Sequence, residues 1–326
     1  MSCIWLRRAA LALASAFAVL LAGCGSGTIE SQLQPVRIIA FGDGMADLGQ
    51  TSNSTVTNAR YTVNDSTTVP NIWTQEVAFS FGLPLTTAAL GGQSYATGNA
   101  RINVHPDAAG NSSTPTIKEQ IDTFLAANTL APDDLVIVSA GTADVVAEVA
   151  KFSTGGQTSD QAVANAQAAG RDLATQVRRL VQAGGAHVVV AGTYNLSKSP
   201  WGSATASLTS LLSTASTKFN EELLVDIVDL GANVLYVDEA LQFNLMSNVP
   251  TAYGMINSSS PVCTLTDPGP GIGIGAGQVN SALCTPNDVV SGAIYTQYLY
   301  ADQVYPTPQG QRSFGDYAYL RIRARW

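Results

Sequence analysis

FGDGMADLG, residues 41–49, follows the short apolar run VRIIA at residues 36–40. A Val/Ile run of this length is typical of a strand that is covered on both faces in a parallel sheet. Ligands of such sheets bind beyond the carboxyl ends of the strands. We therefore expect a first strand that ends at Gly42 and leads directly into a ligand-binding or catalytic segment.

The rest of the chain alternates short apolar runs with helical patterns, which predicts an α/β fold with a parallel sheet between helices. After a targeting segment is removed, about 300 residues remain, which suits one large domain. The predicted strands are 36–42, 134–140, 186–192 and 233–237, with a further short strand near 85–89. The predicted helices are 70–81, 116–128, 159–183, 204–230 and 308–323.

Three later segments accompany residues 41–49: SYATGNAR at 94–101, SAGTAD at 139–144 and DQVYPT at 302–307. In order and spacing the four segments resemble the blocks of the GDSL (SGNH) esterase and lipase family, F-G-D-S-x-S-D-x-G, N-F-A-x-G-G-A, G-x-N-D and D-x-x-H-P-T. The resemblance covers most of the chain after residue 35. It implies a three-layer α/β/α sandwich with a flavodoxin-like parallel sheet of about five strands.

The resemblance also assigns catalytic positions, and most of them carry the wrong residue. The nucleophilic serine of the family falls on Gly44, and the oxyanion-hole asparagine falls on Ala143. The catalytic histidine is replaced by Tyr305. Only the oxyanion-hole glycine, Gly98, and the triad aspartate, Asp302, match the family pattern.

These replacements remove the chemistry of ester hydrolysis. A serine nucleophile needs a neighbouring base to accept its proton, and a phenol with a pKa of about 10 is a poor base at neutral pH. Loss of the nucleophile in a serine hydrolase costs on the order of 10⁶ in turnover, and loss of one oxyanion donor costs ~10² to 10³ by itself. The first reading is therefore a pseudoenzyme that uses its remnant cleft for binding or assembly.

Two other readings stay open. An active ester hydrolase would need a relocated nucleophile, for which Ser94, Ser139 and Asp43 are candidates and His105 is the base to consider. His187 opens an apolar run and is better explained as the first residue of a buried strand. A purely structural protein without a ligand is the third reading, and side chains such as Met45 and Tyr305 filling the cleft would favour it.

The amino terminus predicts export. Arg7 and Arg8 precede an apolar run at 9–21, and the Leu21-Ala22-Gly23-Cys24 ending resembles a bacterial lipobox, whose cysteine is acylated. We expect a signal peptide at 1–23, a tether at 24–35 and the folded domain at 36–326. Gly25 after the cysteine favours the outer membrane of the cell envelope. The alternative is a plain signal peptide with an incidental cysteine.

Export leaves Cys263 and Cys284 as a pair, since Cys3 departs with the signal peptide and Cys24 carries the lipid. Neither residue belongs to a zinc-binding spacing. An oxidising envelope favours a disulfide between them. It would close a Gly- and Pro-rich loop with little apolar content, although two separately buried thiols are the alternative.

Composition excludes other function classes. The charged fraction is 12% and the formal charge is −8, so no basic surface predicts nucleic-acid binding. We expect no metal and no cofactor, because no cysteine/histidine cluster or cofactor motif is present. The expected partners are the lipid membrane, through acylated Cys24, and a small ester, lipid or glycan in the cleft. The polar segment 50–69 either rims that cleft or is a solvated insertion.

Overall fold

The computed structural model describes residues 33–67 and 70–326, so Cys24 and the lipobox-like ending lie outside the described residues. Four parallel strands form the central sheet in the order β1–β2–β3–β4. Their bounds are β1 Arg37–Gly42, β2 Asp134–Ser139, β3 His187–Ala191 and β4 Val234–Tyr236. Every residue of β2 is buried, as expected for a strand covered by helices on both faces. The α/β class and the four main predicted strands are confirmed.

The fifth predicted strand does not form, and within 85–89 only Thr87 makes a single parallel bridge, to Ser94. Residues 88–90 form a 3₁₀ turn, Ala88–Leu90, and residues 93–97 instead run beside β1. The Ala40 amide donates to the carbonyl of Gln93 (3.0 Å), and the Tyr95 amide donates to the carbonyl of Ala40 (2.7 Å). The apolar content of 85–89 imitates a strand, but the turn that follows brings the next segment to the sheet edge.

Helices cover the sheet in two groups. One group contains α1 Trp73–Ser80, α7 Glu239–Asn248 and α8 Pro308–Arg325; the other contains α2 Ile117–Ala127, α3 Thr142–Ser153, α4 Ser159–Gln182 and α6 Ala206–Asp226. The helix predicted at 204–230 is present as α6, Ala206–Asp226, followed by a 3₁₀ turn, Val228–Leu230, and it is preceded by the short helix α5 Pro200–Ala204. Helices α3 and α7 were not predicted.

Helix α3 shows why a local pattern fails. Its N-cap residue is Gly141, which has no side chain with which to cap the helix. The carboxylate of Asp43 accepts from the amides of Gly141 (3.2 Å) and Ala143 (3.1 Å) instead. The start signal of the helix therefore lies about a hundred residues away in sequence.

We call the two ends of the sheet the carboxyl edge, where β1 ends at Gly42, and the amino edge, where β1 begins at Arg37. Beyond the sheet, β5 Asn257–Pro261 pairs with β8 Tyr298–Tyr300, and β6 Thr266–Asp267 pairs with β7 Gln278–Val279. Within 33–67 and 70–326, no helix has both the length and the apolar character needed to span a bilayer.

Candidate functional site

The four sequence segments meet at the carboxyl edge. The turn after β1 is held against β2, because the Asp43 amide donates to the carbonyl of Ser139 (3.1 Å). The buried Gln120 side chain binds both backbone groups of Gly42, accepting from its amide (2.9 Å) and donating to its carbonyl (3.0 Å). We call the region bounded by Gly44, Gly98, Ala143, Asp302 and Tyr305 the candidate cleft.

Tyr305 occupies the space next to the nucleophile position. A Cβ atom on Gly44 would lie 2.7 Å from the Cε1, Cζ and Oη atoms of Tyr305, closer than real Cβ contacts allow. The Tyr305 side chain is buried, with 1% exposure, and burial raises the pKa of its hydroxyl well above the usual value. The phenol is therefore neutral and fills the place from which a serine would attack.

A second ring covers the oxyanion-hole glycine. Tyr61 packs directly over Gly98, and its ring centroid lies 4.8 Å from that of Tyr305. The Gly98 amide donates to Oδ2 of Asp47 (2.7 Å), so an internal carboxylate already uses this hydrogen-bond donor. Burial raises the pKa of Asp47 to about 6, although three backbone amides oppose the shift. Gly98 therefore does not present a free donor to a ligand.

Asp302 makes backbone contacts in place of a histidine contact. Its Oδ1 accepts from the amides of Val304 (2.8 Å) and Tyr305 (2.7 Å), and its Oδ2 accepts from the amide of Ser281 (3.0 Å). Burial raises its pKa, and the hydrogen bonds from these amides oppose the shift. In this position the carboxylate stabilises the tight turn that carries the Tyr305 ring.

The third segment supplies structure without an oxyanion donor. The Ala143 side chain is a methyl group, and its amide donates to Asp43, whose pKa burial raises to about 6. The next residue, Asp144, accepts from Nε of Arg101 (3.3 Å) and from the amide of Ile102 (3.1 Å). Burial raises the pKa of Asp144 to about 7, and the Arg101 charge opposes that shift.

A disulfide-closed loop covers the cleft from above. Cys263 and Cys284 are bonded, which confirms the predicted pair. Within the loop, the carbonyl of Gly271 accepts from Nδ2 of Asn99 (2.9 Å), beside Gly98. Ile272 is buried in the main core with 1% exposure, so the expectation that the loop gains little from packing is wrong.

The end of the polar segment, residues 61–64, also closes the cleft, whereas much of 51–58 is exposed, so each of the two interpretations describes part of the segment. Thr62 donates through Oγ1 to the carbonyl of Pro306 (2.9 Å), and Nδ2 of Asn64 donates to the carbonyl of Ser281 (3.1 Å). Sequence reasoning did not single out Tyr61 or Asp47. Asp47 does stand at the second aspartate of the first family block, but its contact with Gly98, like the position of Tyr61, depends on the fold and not on the motif.

The relocated-nucleophile candidates are poorly placed. Ser94 and Ser139 are completely buried, and neither hydroxyl has a hydrogen-bond partner among the described residues. His105 instead lies 3.0 Å from a carboxylate oxygen of Glu119 on the surface. His187 begins β3, as expected, and packs against the Trp326 ring. Within the described part of the chain, no group of three or more His, Cys, Asp or Glu residues is arranged to hold a metal ion.

Comparisons with known proteins agree with this geometry at the level of the family. No curated protein matches the chain. One solved crystal structure aligns with 88% of this chain and 97% of its own, at 13% identity and a TM-score of 0.39, and this similarity is too low to assign a fold or a function. The family model described as GDSL-like lipase/acylhydrolase matches residues 38–318. The chain therefore belongs to the GDSL-like lipase/acylhydrolase family.

Proposed function

We propose that this chain is a non-hydrolytic member of its family, a pseudoenzyme that serves the bacterial cell envelope as an outer-membrane lipoprotein anchored through acylated Cys24. The observation that carries the proposal is the Tyr305 ring beside Gly44. A glycine offers no nucleophile, and a buried neutral phenol offers no base. With the Gly98 amide bonded to Asp47, the oxyanion site is also closed.

The closed cleft favours assembly over ligand binding as the use of this scaffold. A small ester, lipid or glycan would have to displace both Tyr61 and Tyr305, which are packed ring against ring. Met45 and Tyr305 are each 1% exposed. Filling of the cleft by these two side chains is the observation expected for a structural role. The scaffold would then act through its surface.

Active ester hydrolysis is the second candidate, and family membership together with Gly98, Asp144 and Asp302 supports it. It requires an activated hydroxyl elsewhere. Ser94 and Ser139 are the residues proposed for it, yet a nucleophile needs a base within hydrogen-bond reach. Neither hydroxyl has such a partner within the described ranges.

Two measurements separate these functions. We expect the purified protein to hydrolyse p-nitrophenyl acetate and butyrate no faster than a blank carried through the same purification. We also expect no labelling by a fluorophosphonate probe, which reports an activated serine whatever the acyl chain of the substrate. Turnover and labelling that follow the protein peak would contradict the proposal, and their loss in Ser94→Ala or Ser139→Ala would locate the nucleophile.

The anchor has its own test. Intact-mass analysis of the protein purified from membranes should show an amino-terminal Cys24 carrying acyl chains. A diacylated cysteine supplies the two lipid signals that stable anchoring needs. A Cys24→Ser variant should lose the lipid mass and the membrane association. A mature protein that begins at another residue and fractionates as a free periplasmic protein would contradict the anchor.

A further inference from the structure

The amino edge carries a surface with the opposite character to the candidate cleft. We propose that this surface rests on the anionic phospholipid bilayer that holds the anchor, so that the candidate cleft faces away from the membrane. The inference rests on the acylation of Cys24 proposed above. Three features of the described residues support it: the place where the chain enters the domain, the exposed apolar side chains and the arginines.

The chain enters the folded domain at the amino edge. The amide of Leu33 donates to the carbonyl of Trp326 (3.1 Å), and the Trp326 ring lies 5.0 Å from the ring of His187, the first residue of β3. Eight residues, 25–32, separate Cys24 from Leu33. Since a chain spans at most about 3.5 Å per residue, an acylated Cys24 would keep Leu33 within roughly 30 Å of the bilayer.

Large apolar side chains are exposed at the same edge. Helices α1 and α8 run side by side toward it, since Trp73 packs on Phe314 near their starts and Phe81 packs on Tyr319 further along. Phe79 is 67% exposed and Leu320 is 65% exposed near these later turns. Val36, immediately before β1, is 62% exposed, and Val228, shortly before β4, is 78% exposed. Exposed apolar groups that share one face are typical of protein or membrane contacts.

The charges of this edge complement an anionic surface. The last turns of α8 carry Arg321, Arg323 and Arg325, and Arg325 reaches across to the carbonyl of Gly231. Two nearby carboxylates are paired, Asp134 with Arg37 and Asp229 with Arg178, while Asp133 and Asp316 are exposed. Arginines beside apolar groups attract the negative headgroups of a phospholipid leaflet. On a chain with a formal charge of −8, these three arginines form a local group of positive charge beside the exposed apolar side chains.

The tryptophans of the mature chain provide a reporter. Trp5 precedes Cys24, which leaves Trp73, Trp201 and Trp326. Trp73 and Trp201 are buried. Both lie toward the carboxyl edge, because the Trp201 amide donates to the carbonyl of Gln303 and the Trp73 amide donates to Oε1 of Gln311. Only Trp326 is partly exposed and located at the amino edge. Quenching by lipids with brominated acyl chains therefore reports contact of this edge with the bilayer.

The experiment uses the purified acylated protein in vesicles of phosphatidylethanolamine with a minority of phosphatidylglycerol, with and without brominated acyl chains. We expect brominated lipid to quench tryptophan fluorescence, and Trp326→Phe to abolish the quenched fraction. The double variant Phe79→Ser/Leu320→Ser should lose most of the quenching while it stays anchored. The matched control is Ile256→Ser/Ile294→Ser, which changes side chains exposed at 69% and 58% beside the β5–β8 pair and should leave the quenching unchanged.

Anchored protein without quenching would overturn the proposal, and so would quenching that the Phe79→Ser/Leu320→Ser variant leaves intact. Failure of the anchor itself is seen separately, because intact mass would show Cys24 without acyl chains. In that case flotation of the processed chain with the same vesicles decides. Flotation that the double variant loses supports the surface, and a chain that does not float overturns it.

Discussion

The two edges of the sheet differ in which side chains they leave exposed to solvent. At the carboxyl edge, polar groups that a family member would offer to a substrate are bonded internally, as Gly98 is to Asp47, and two tyrosine rings occupy the remaining space. At the amino edge, apolar side chains such as Phe79 and Leu320 stay exposed. The comparison shows that the carboxyl edge is packed as part of the core, whereas large apolar side chains remain exposed at the amino edge.

The filled state of the cleft depends on a complementary pair of residues. The absence of a side chain at Gly44 makes room for the ring of Tyr305, and the ring leaves no room for a side chain at position 44. Core packing is dense enough that such a pair behaves as one unit.

The largest effect should come from emptying the filled cleft. Tyr305→Ala should lower the free energy of unfolding by about 3–5 kcal/mol, because a buried aromatic ring is replaced by a cavity. Leu320→Ala at the amino edge is the control and should change it by less than about 0.5 kcal/mol, because the side chain is exposed. Urea unfolding measures both. Equal effects at the two edges would contradict the comparison.

Removal of the disulfide should rank next. The double variant Cys263→Ala/Cys284→Ala opens a loop of about 20 residues, for which chain entropy gives about 3 kcal/mol of lost stability. Since this loop contacts Asn99 through Gly271, hydrogen exchange should rise first in the segments around the candidate cleft. Two alkylatable thiols in the unreduced, denatured wild type would show that the bridge is absent.

Restoring the nucleophile should be unfavourable until the ring is made smaller. Gly44 does not have a positive φ angle, and the nearest atoms that a Cβ would meet belong to the Tyr305 ring, so Gly44→Ser should cost about 1–3 kcal/mol through overpacking. The cost should shrink in a Tyr305→His background, because the imidazole ring is shorter. A double-mutant cycle in urea measures the coupling, expected at about 1 kcal/mol. Additive costs would mean that the two residues do not compete for space.

The smallest expected effect is on pH dependence. Burial raises the pKa of Asp43 to about 6 and that of Asp144 to about 7, from an ordinary value of 3.8. A carboxyl group that keeps its proton only when folded stabilises the protein below its unfolded pKa, and this contribution is lost as the pH rises through the folded pKa. Stability should therefore fall between pH 5 and 7, and Asp43 alone should account for about 1 kcal/mol of that fall. Asp43→Asn should flatten the slope, and a stability that rises over this range would contradict the assignment.

Much of the fold could be predicted because its signals are local. Apolar runs located β1 to β4 to within a residue or two, and the Pro308 start of α8 was read from the proline itself. Helix α3 was not predicted, because the residue that caps it, Asp43, belongs to a different segment of the chain. No strand forms at 85–89, because the segment that pairs with β1 is selected by the turn at 88–90 and by the hydrogen bonds of 93–95 with Ala40. The apolar content of a segment does not predict either of these features.

The sequence by itself determined the family and predicts that its nucleophile, oxyanion-donor and base positions carry Gly44, Ala143 and Tyr305, because residue identity decides whether a side chain is able to attack, donate or accept a proton. Only the tertiary structure decided that the cleft is closed. Tyr61, Gly98 and Tyr305 are far apart in the chain, and the space between them depends on packing across the whole carboxyl edge. The functional group that a position carries is set by the identity of its residue, whereas the filling of a cavity is set by how the whole fold packs.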